Sequence, residues 1–224
     1  MNIIYNFATR SRPKKFFKCL DNIKDYSVQP YKVIASVDMD DESMNNDDVI
    51  KRMELHTNLT VYWGESESKI HAINRSVQDY KDSWDILINM SDDMWFVYPA
   101  FDNAIRDGFT NHFPDLDGVL HYNDSNQKEN CMTMSIIGRK YYERDNYIYH
   151  PSYQSLWCDK EAEEVARIRG KYKYMGDGVV LFNHNHPAWG KAQYDPQYHK
   201  TEAQGVNQAD FVNCQTRTAA NFYL

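Results

Sequence analysis

Ser91-Asp92-Asp93 places two adjacent carboxylates directly after the short apolar run Asp85-Ile86-Leu87-Ile88-Asn89-Met90. Neighbouring carboxylates repel each other, so a site that keeps both ionised usually supplies a cation. Hard oxygen ligands of this kind suit Mg²⁺ or Mn²⁺. If the apolar run is a buried strand, the pair lies just past its carboxyl end, where open α/β sheets bind ligands. The plainer reading is that Ser-Asp-Asp caps the helix that starts near Pro99. Two earlier stretches end in comparable chemistry: Thr9-Arg10-Ser11-Arg12-Pro13, after residues 2–8, and Asp38-Met39-Asp40-Asp41, after residues 31–37. His184 and His186 stand two residues apart near the C-terminus. In an extended segment they would face opposite ways, so only one of them could reach a given site.

The elements that must position these residues follow from hydrophobic periodicity. Residues 2–8 read as a strand, and Pro13 sits at the first position of a helix that buries Phe16, Phe17, Leu20 and Ile23. A strand over 31–37, a helix over 45–56, a strand over 59–63, a helix over 66–80 and the strand before Ser91 continue the pattern. Such alternation predicts a mostly parallel sheet with right-handed crossovers. Charged clusters at successive strand ends would then converge on one crevice. Further on, the sequence predicts a helix to about His112, strands over 117–122 and 132–137, and a short helix over 138–144. A tyrosine-rich irregular stretch over 146–152, a helix over 157–170, short strands over 172–175 and 178–182 and a helical tail over 201–222 complete it. Asp159, Glu161, Glu163 and Glu164 fall in or near the first turns of the 157–170 helix, where acids complement the helix dipole.

Bulk properties exclude several classes. At 224 residues the chain fits one large domain or two small ones, with 42% hydrophobic and 25% charged residues, ordinary for a globular protein. No apolar run approaches the roughly 18 residues of a membrane span, and the N-terminus lacks the pattern of a signal peptide. Cys19, Cys131, Cys158 and Cys214 are scattered without a C-x-x-C pair, which suits free thiols in a reducing compartment and a soluble cytoplasmic chain. A net charge of −7 argues against general nucleic-acid affinity, although the 10–18 segment is locally basic. Seventeen tyrosines, ten phenylalanines and five tryptophans suit stacking on sugar faces, while most such rings belong in a core.

Together these motifs resemble the GT-A-fold glycosyltransferases, closest to family 2, over roughly residues 3–189. The resemblance implies an α/β fold, Rossmann-like, with a mostly parallel central sheet flanked by helices and a small antiparallel acceptor-side region. It implies one domain over 1–224: a nucleotide-binding half to about residue 98, an acceptor-binding half over about 99–200, and the tail from 201. By resemblance, Thr9, Arg10 and Arg12 cradle the base and ribose of a sugar donor. Asp38, with Asp40 beside it, accepts a hydrogen bond from the base, for which the N3–H of uridine is suited. Ser68-Lys69-Ile70-His71-Ala72-Ile73-Asn74 is similar to the family's G-K-x-x-A-L-N segment, with serine for the glycine. Lys69 would approach phosphate, unless it is simply a solvated helix lysine, and Asn74 would line the nucleotide pocket.

Ser91-Asp92-Asp93 is similar to a variant D-x-D element: Asp93 would ligate Mn²⁺ or Mg²⁺, and Asp92 would hold ribose or a metal-bound water. Trp157-Cys158-Asp159 resembles the x-E-D element with cysteine for glutamate, so Asp159 would be the general base of an inverting transfer, with Glu161 helping to orient the site. His184 or His186 would supply a second metal ligand. On the acceptor side, His121, Asp124 and Arg139 are candidates, and Trp189 would stack on a sugar or close the core.

The implied partners are a nucleotide-diphosphate sugar, UDP-linked by the argument from N3–H, and a hydroxyl acceptor of unknown class. No phosphate loop, G-x-G-x-x-G turn, nucleophile elbow or zinc cluster is present. A sugar nucleotidyltransferase would need glycines before Arg12, where the chain has Asn6-Phe7-Ala8-Thr9. A carbohydrate-binding module would explain the aromatics but not acids at consecutive strand ends.

Overall fold

The computed structural model describes residues 1–176 and 178–219. Its first half alternates as the periodicity predicts: β1 (Ile3–Thr9), α1 (Pro13–Tyr26), β2 (Tyr31–Asp38), α2 (Asp47–Glu54), β3 (Leu59–Gly64), α3 (Lys69–Asp79) and β4 (Ile86–Met90). Then come β5 (Met94–Phe96), α4 (Phe101–His112), β6 (Val119–His121), β7 (Ser135–Gly138), α5 (Arg139–Tyr142) and α6 (Cys158–Ile168). The chain continues through β8 (Tyr172–Tyr174), β9 (Phe182–His184), a 3-10 turn (Pro187–Trp189), α7 (Pro196–Thr201) and α8 (Gln204–Ala219). The predicted helical tail thus divides into two helices, and its residues 220–222 lie outside the described residues.

Seven strands form the main sheet in the order β3-β2-β1-β4-β7-β6-β8. The first four are parallel, while β7 runs antiparallel to both β4 and β6. Buried on both faces, the central strands read as nearly continuous apolar runs. Ile3, Tyr5 and Phe7 join the cluster beneath α1 and α4, whereas Ile4 joins Ile70, Ile73 and Val77 of α3 on the opposite face. On that same α3 face, the buried Asn6 donates to Asn89 Oδ1 and to the Ile73 carbonyl, both at 3.0 Å, which ties β1 to β4 and α3. Among the described residues no helix is long and apolar enough to cross a membrane, and all four cysteines are free.

Register decides where the polar strand ends emerge. Phe7 lies opposite Met90, Thr9 opposite Val37 and Asp38 opposite Gly64. Thr9-Arg10, Asp38-Asp40, Glu65-Ser68 and Ser91-Asp93 therefore leave the sheet along one edge. The chain winds from β1 out to β3 and returns to place β4 on the other side of β1, so a topological switch point lies between β1 and β4. Crevices for ligands open at such points.

Two local expectations change. The strand predicted over 178–182 forms instead at Phe182–His184, and Met94–Phe96, not expected as a strand, is its antiparallel partner. Neither piece is long enough to signal itself; each is a strand because the other is opposite it. The 45–56 helix begins later, at Asp47, because the Asn46 side chain accepts from Val49 N at 3.1 Å and caps it there.

Candidate active site

A crevice of about 940 Å³ opens over the carboxyl edge of the parallel strands, within the range of small-molecule and cofactor sites. Among the residues proposed from sequence, Thr9, Arg10, Arg12, Asp38, Asp40 and Lys69 line one part of it. Asp92, Asp93, Asp159, His184, His186 and Trp189 line the remainder.

The two aspartates are buried and are held differently. Asp92 Oδ1 accepts from Arg12 Nη1 at 3.0 Å. The same guanidinium donates to Asp195 Oδ1 at 2.6 Å and lies 3.8 Å over the Tyr198 ring. Burial pushes the Asp92 carboxyl up to about 6 against the pull of Arg12, and the charge of Asp93 adds to the rise. Burial would raise Asp93 as well, but the neighbouring His184 ring and the Tyr198 hydroxyl outweigh it and hold this carboxyl well below the usual range. Arg12 therefore supplies part of the positive charge that the aspartate pair demands, from within the chain.

Asp93 Oδ2 accepts from Tyr198 OH at 2.6 Å, and Oδ1 faces His184 Nε2 at 3.4 Å. The small sheet creates this meeting: β5 follows the aspartates directly, and its Met94 is paired with His184 of β9. Asn185 N donates to the Asp93 carbonyl at 2.8 Å and fastens the same junction. Past His184 the strand ends, so strict alternation no longer applies. His186 also lines the crevice, but its Nε2 lies 2.7 Å from Glu202 Oε1 and its Nδ1 accepts from Ala188 N at 3.2 Å. Trp189 packs edge-on to His184, with ring centroids 4.8 Å apart.

These residues fit a divalent cation that takes two protein ligands. Asp93 Oδ1 is buried with no hydrogen-bond partner and faces His184 Nε2. Among the described residues no cluster of three or more His, Cys, Asp or Glu could hold a metal. A cation there would find a carboxylate oxygen of Asp93 and an imidazole nitrogen of His184 and would take its remaining ligands from outside the chain, as Mg²⁺-type sites commonly do. Imidazole favours Mn²⁺.

At the other end, Arg10 donates to both oxygens of Asp40 at 2.6 and 2.8 Å and to Asp38 Oδ2 at 2.9 Å. Asp38 Oδ1, Thr9 Oγ1, Ser36 Oγ and Ser66 Oγ are all buried without a hydrogen-bond partner, and all four residues line the crevice. Buried polar atoms are rarely left unpaired, so their concentration here marks where a ligand's donors and acceptors belong. Lys69 begins α3 behind its cap Ser68 and is exposed.

Several sequence-proposed residues take other work. Asn74 does not line the crevice: its side chain accepts from Ile148 N and Tyr149 N at 2.9 and 3.3 Å and donates to the Tyr149 carbonyl at 2.8 Å, pinning the irregular tyrosine-rich segment. His121 ends β6 with its ring against Tyr172 and Tyr174 of β8, its Nδ1 2.6 Å from Tyr172 OH, and burial pushes its pKa down. Arg139 bonds Glu143 at 2.7 Å and covers the Trp84 ring, away from the crevice. Glu161 is buried against Tyr153 and Arg217 and ties α6 to α8. Asp124 caps the following turn by accepting from Asn126 N and Gln127 N at 2.8 and 2.7 Å. Its Oδ2 lies 3.9 Å from His184 Nδ1, behind the imidazole. In each case a polar residue that periodicity left unexplained meets a backbone group, a side-chain hydroxyl or an ion-pair partner.

Asp159, at the start of α6, lines the crevice half-buried, with Cys131 Sγ 3.6 Å from its Oδ2. Trp157, just before α6, has φ of +64°, a left-handed conformation unfavourable for a bulky residue. Its indole donates to Asn207 at 2.8 Å and tilts against Phe211, yet it is 37% exposed at the crevice wall. The reading from sequence also missed Tyr198, Asp195 and Glu202. One signal was available: Asp195-Pro196 is a cap followed by a first-turn proline, and Asp195 does accept from Gln197 N and Tyr198 N to start α7.

No protein-family model matches this chain, and no curated protein matches it in sequence. Its fold is nonetheless shared by solved structures. The mannosyltransferase PcManGT from Pyrobaculum calidifontis, in complex with GDP-Man and Mn²⁺, is similar with a TM-score of 0.62 at 14% identity, over 97% of this chain and 73% of its own. TarS (residues 1–349) from S. aureus, in complex with UDP, is similar with a TM-score of 0.63 at 12% identity, over 82% and 60%. A variant of Drosophila β-1,4-galactosyltransferase 7, in complex with manganese, UDP-Gal and xylobiose, has a TM-score of 0.52 at 13% identity, over 89% and 79%. The matched region is thus 60% of the TarS chain's length. A parallel sheet that turns antiparallel past β4, a two-strand sheet following the acidic pair, and these superpositions make the architecture that of the GT-A glycosyltransferase fold.

Proposed function

We propose that this chain transfers one sugar from a nucleoside-diphosphate donor, UDP-linked, to an acceptor hydroxyl, with a divalent cation and with inversion at the anomeric carbon. The observation that carries the reading is the Asp93–His184 pair, facing across 3.4 Å in a crevice where several buried polar atoms, Asp93 Oδ1 and Asp38 Oδ1 among them, make no hydrogen bond. Asp93 and His184 would hold Mn²⁺ or Mg²⁺, and a bound cation would supply charge neutralisation for the leaving diphosphate. Asp38 accepts from the base, Thr9 and Ser36 fill the remaining donor and acceptor needs of the nucleoside, and Lys69 approaches the phosphates. Asp159 takes the proton of the acceptor hydroxyl as that oxygen bonds to the anomeric carbon and the bond to the diphosphate oxygen breaks. Trp157 offers the acceptor an aromatic face beside this base, and its strained backbone is the kind of feature that persists at functional sites.

A thermal-shift panel of UDP, GDP, UTP, UDP-sugars and free sugars, each with and without Mn²⁺, tests the proposal. Stabilisation by UDP that requires Mn²⁺ and disappears in Asp93→Asn is the expected result. A response to UTP in place of UDP would identify a nucleotidyltransferase, and a metal-independent response to free sugars a binding module. Either would overturn the reading.

A further inference from the structure

The proposed chemistry leaves unexplained a set of contacts from residues 190–202 onto the metal end of the crevice. Asp195 binds Arg12 and Lys15, at 2.6 and 3.1 Å. Tyr198, 4% exposed, donates its hydroxyl to Asp93 Oδ2 at 2.6 Å. Glu202 lies 2.7 Å from His186. Each partner on the body of the protein is in the crevice wall or, for Lys15, on the turn of α1 next to it.

The Tyr198 contact distinguishes the two oxygens of Asp93. Oδ2 is occupied by the phenol, and Oδ1 remains without a hydrogen bond, facing His184 Nε2 at 3.4 Å. A carboxylate free to rotate about its terminal bond would present either oxygen, or neither, to a cation. One held at Oδ2 presents Oδ1 in a fixed direction. The phenol ring is itself fixed, because the Arg12 guanidinium lies 3.8 Å over it while bonded to Asp92 and Asp195. Partners that orient ligating side chains in this way matter to metal affinity nearly as much as the ligands, by about 10- to 100-fold.

Resting on the metal-dependent reading above, we infer that Tyr198 is a positioning residue that aims Asp93 at the cation and couples cation binding to the seating of residues 190–202. Because the phenol occupies Oδ2 and leaves Oδ1 clear, it supports the ligand and does not compete with the metal for it.

The test measures Mn²⁺ affinity directly, from the electron paramagnetic resonance signal of free Mn²⁺ titrated into the full chain with UDP present. Tyr198→Phe should weaken Mn²⁺ binding by about 10- to 100-fold. Tyr194→Phe, which removes a hydroxyl from an exposed ring on the same segment, should leave it unchanged. An unchanged affinity in Tyr198→Phe overturns the inference, and a tighter one means that the phenol competes with the metal. A second measurement needs no variant at Tyr198: in the native chain, Mn²⁺ with UDP should slow amide exchange across α7, and in Asp93→Asn it should not. Exchange in α7 indifferent to Mn²⁺ also overturns the coupling. If the native chain binds no Mn²⁺ at all, the functional reading itself falls; if it binds Mn²⁺ and Tyr198→Phe binds equally, only this inference does.

Discussion

Replacing Arg12 by methionine keeps most of the apolar stem and removes the charge that holds Asp92. The magnitude follows from burial. The Asp92 side chain is 3% exposed and that of Arg12 10%, so removing one partner leaves an unpaired buried carboxylate, a loss of about 3–5 kcal/mol. The second ion pair, to Asp195, is 30% exposed on the acid side and adds at most about 1 kcal/mol. The stack on Tyr198 adds about 0.5–1 kcal/mol. We expect about 5 kcal/mol in total at pH 8, a large part of the roughly 5–15 kcal/mol that holds a domain folded.

The sign with pH is fixed. Asp92 already titrates near 6 in the folded chain because it is buried, above its ordinary 3.8. The folded state therefore binds this proton more tightly than the unfolded state does, and protonation stabilises the fold as pH falls from about 6 toward 4. Without Arg12 the folded carboxyl titrates higher still, so the deficit of Arg12→Met against the native chain shrinks from pH 8 to pH 5.5. Urea denaturation in the presence of a chelator, at both pH values, measures this. Arg12→Met/Asp92→Asn should recover more than half of the loss at pH 8. A loss under 1 kcal/mol, or a double variant no better than the single, would refute the claim that Arg12 supplies the charge compensation for the pair.

Other consequences are more local. Asp159→Asn should lower turnover by about 10²- to 10⁴-fold while donor affinity stays within about threefold; loss of UDP binding with turnover per bound donor intact would assign this residue to the donor. Hydrogen bonding from Arg144, with Lys171 at 2.8 Å, holds the Asp117 carboxyl down to about 2. Its folded pKa lies below its unfolded value, so the stability it contributes is present above about pH 4 and is lost as pH falls toward 2. With Arg144 itself 42% exposed, solvent screening limits that contribution to about 1 kcal/mol, and Asp117→Asn should remove it in urea melts at pH 7 and make little difference at pH 2. Arg139→Ala should leave transfer rates within about twofold, because this side chain pairs with Glu143 and covers Trp84 outside the crevice; a tenfold loss would restore it to the acceptor side.

Local chemistry makes much of this chain readable from its residues alone. Short apolar runs and intervening runs of helical period, the first opening at Pro13, dictate alternating strands and helices, because the strands must be covered on both faces and each helix must bury one. A parallel sheet then sends Thr9-Arg10, Asp38 and Ser91-Asp93 to the same edge. What stays illegible depends on partners distant in sequence. Asn74, His121 and Arg139 carry chemistry-bearing side chains, but whether such a group faces a crevice or satisfies a neighbouring backbone or ion pair is decided by what packs against it. Likewise β5 and β9 are too short to be strands alone, and only their pairing sets His184, and not His186, against Asp93. The Tyr198 hydroxyl meets Asp93 for the same reason: a hydrogen bond between residues 105 positions apart is a property of the folded packing, with no trace in the periodicity of either segment.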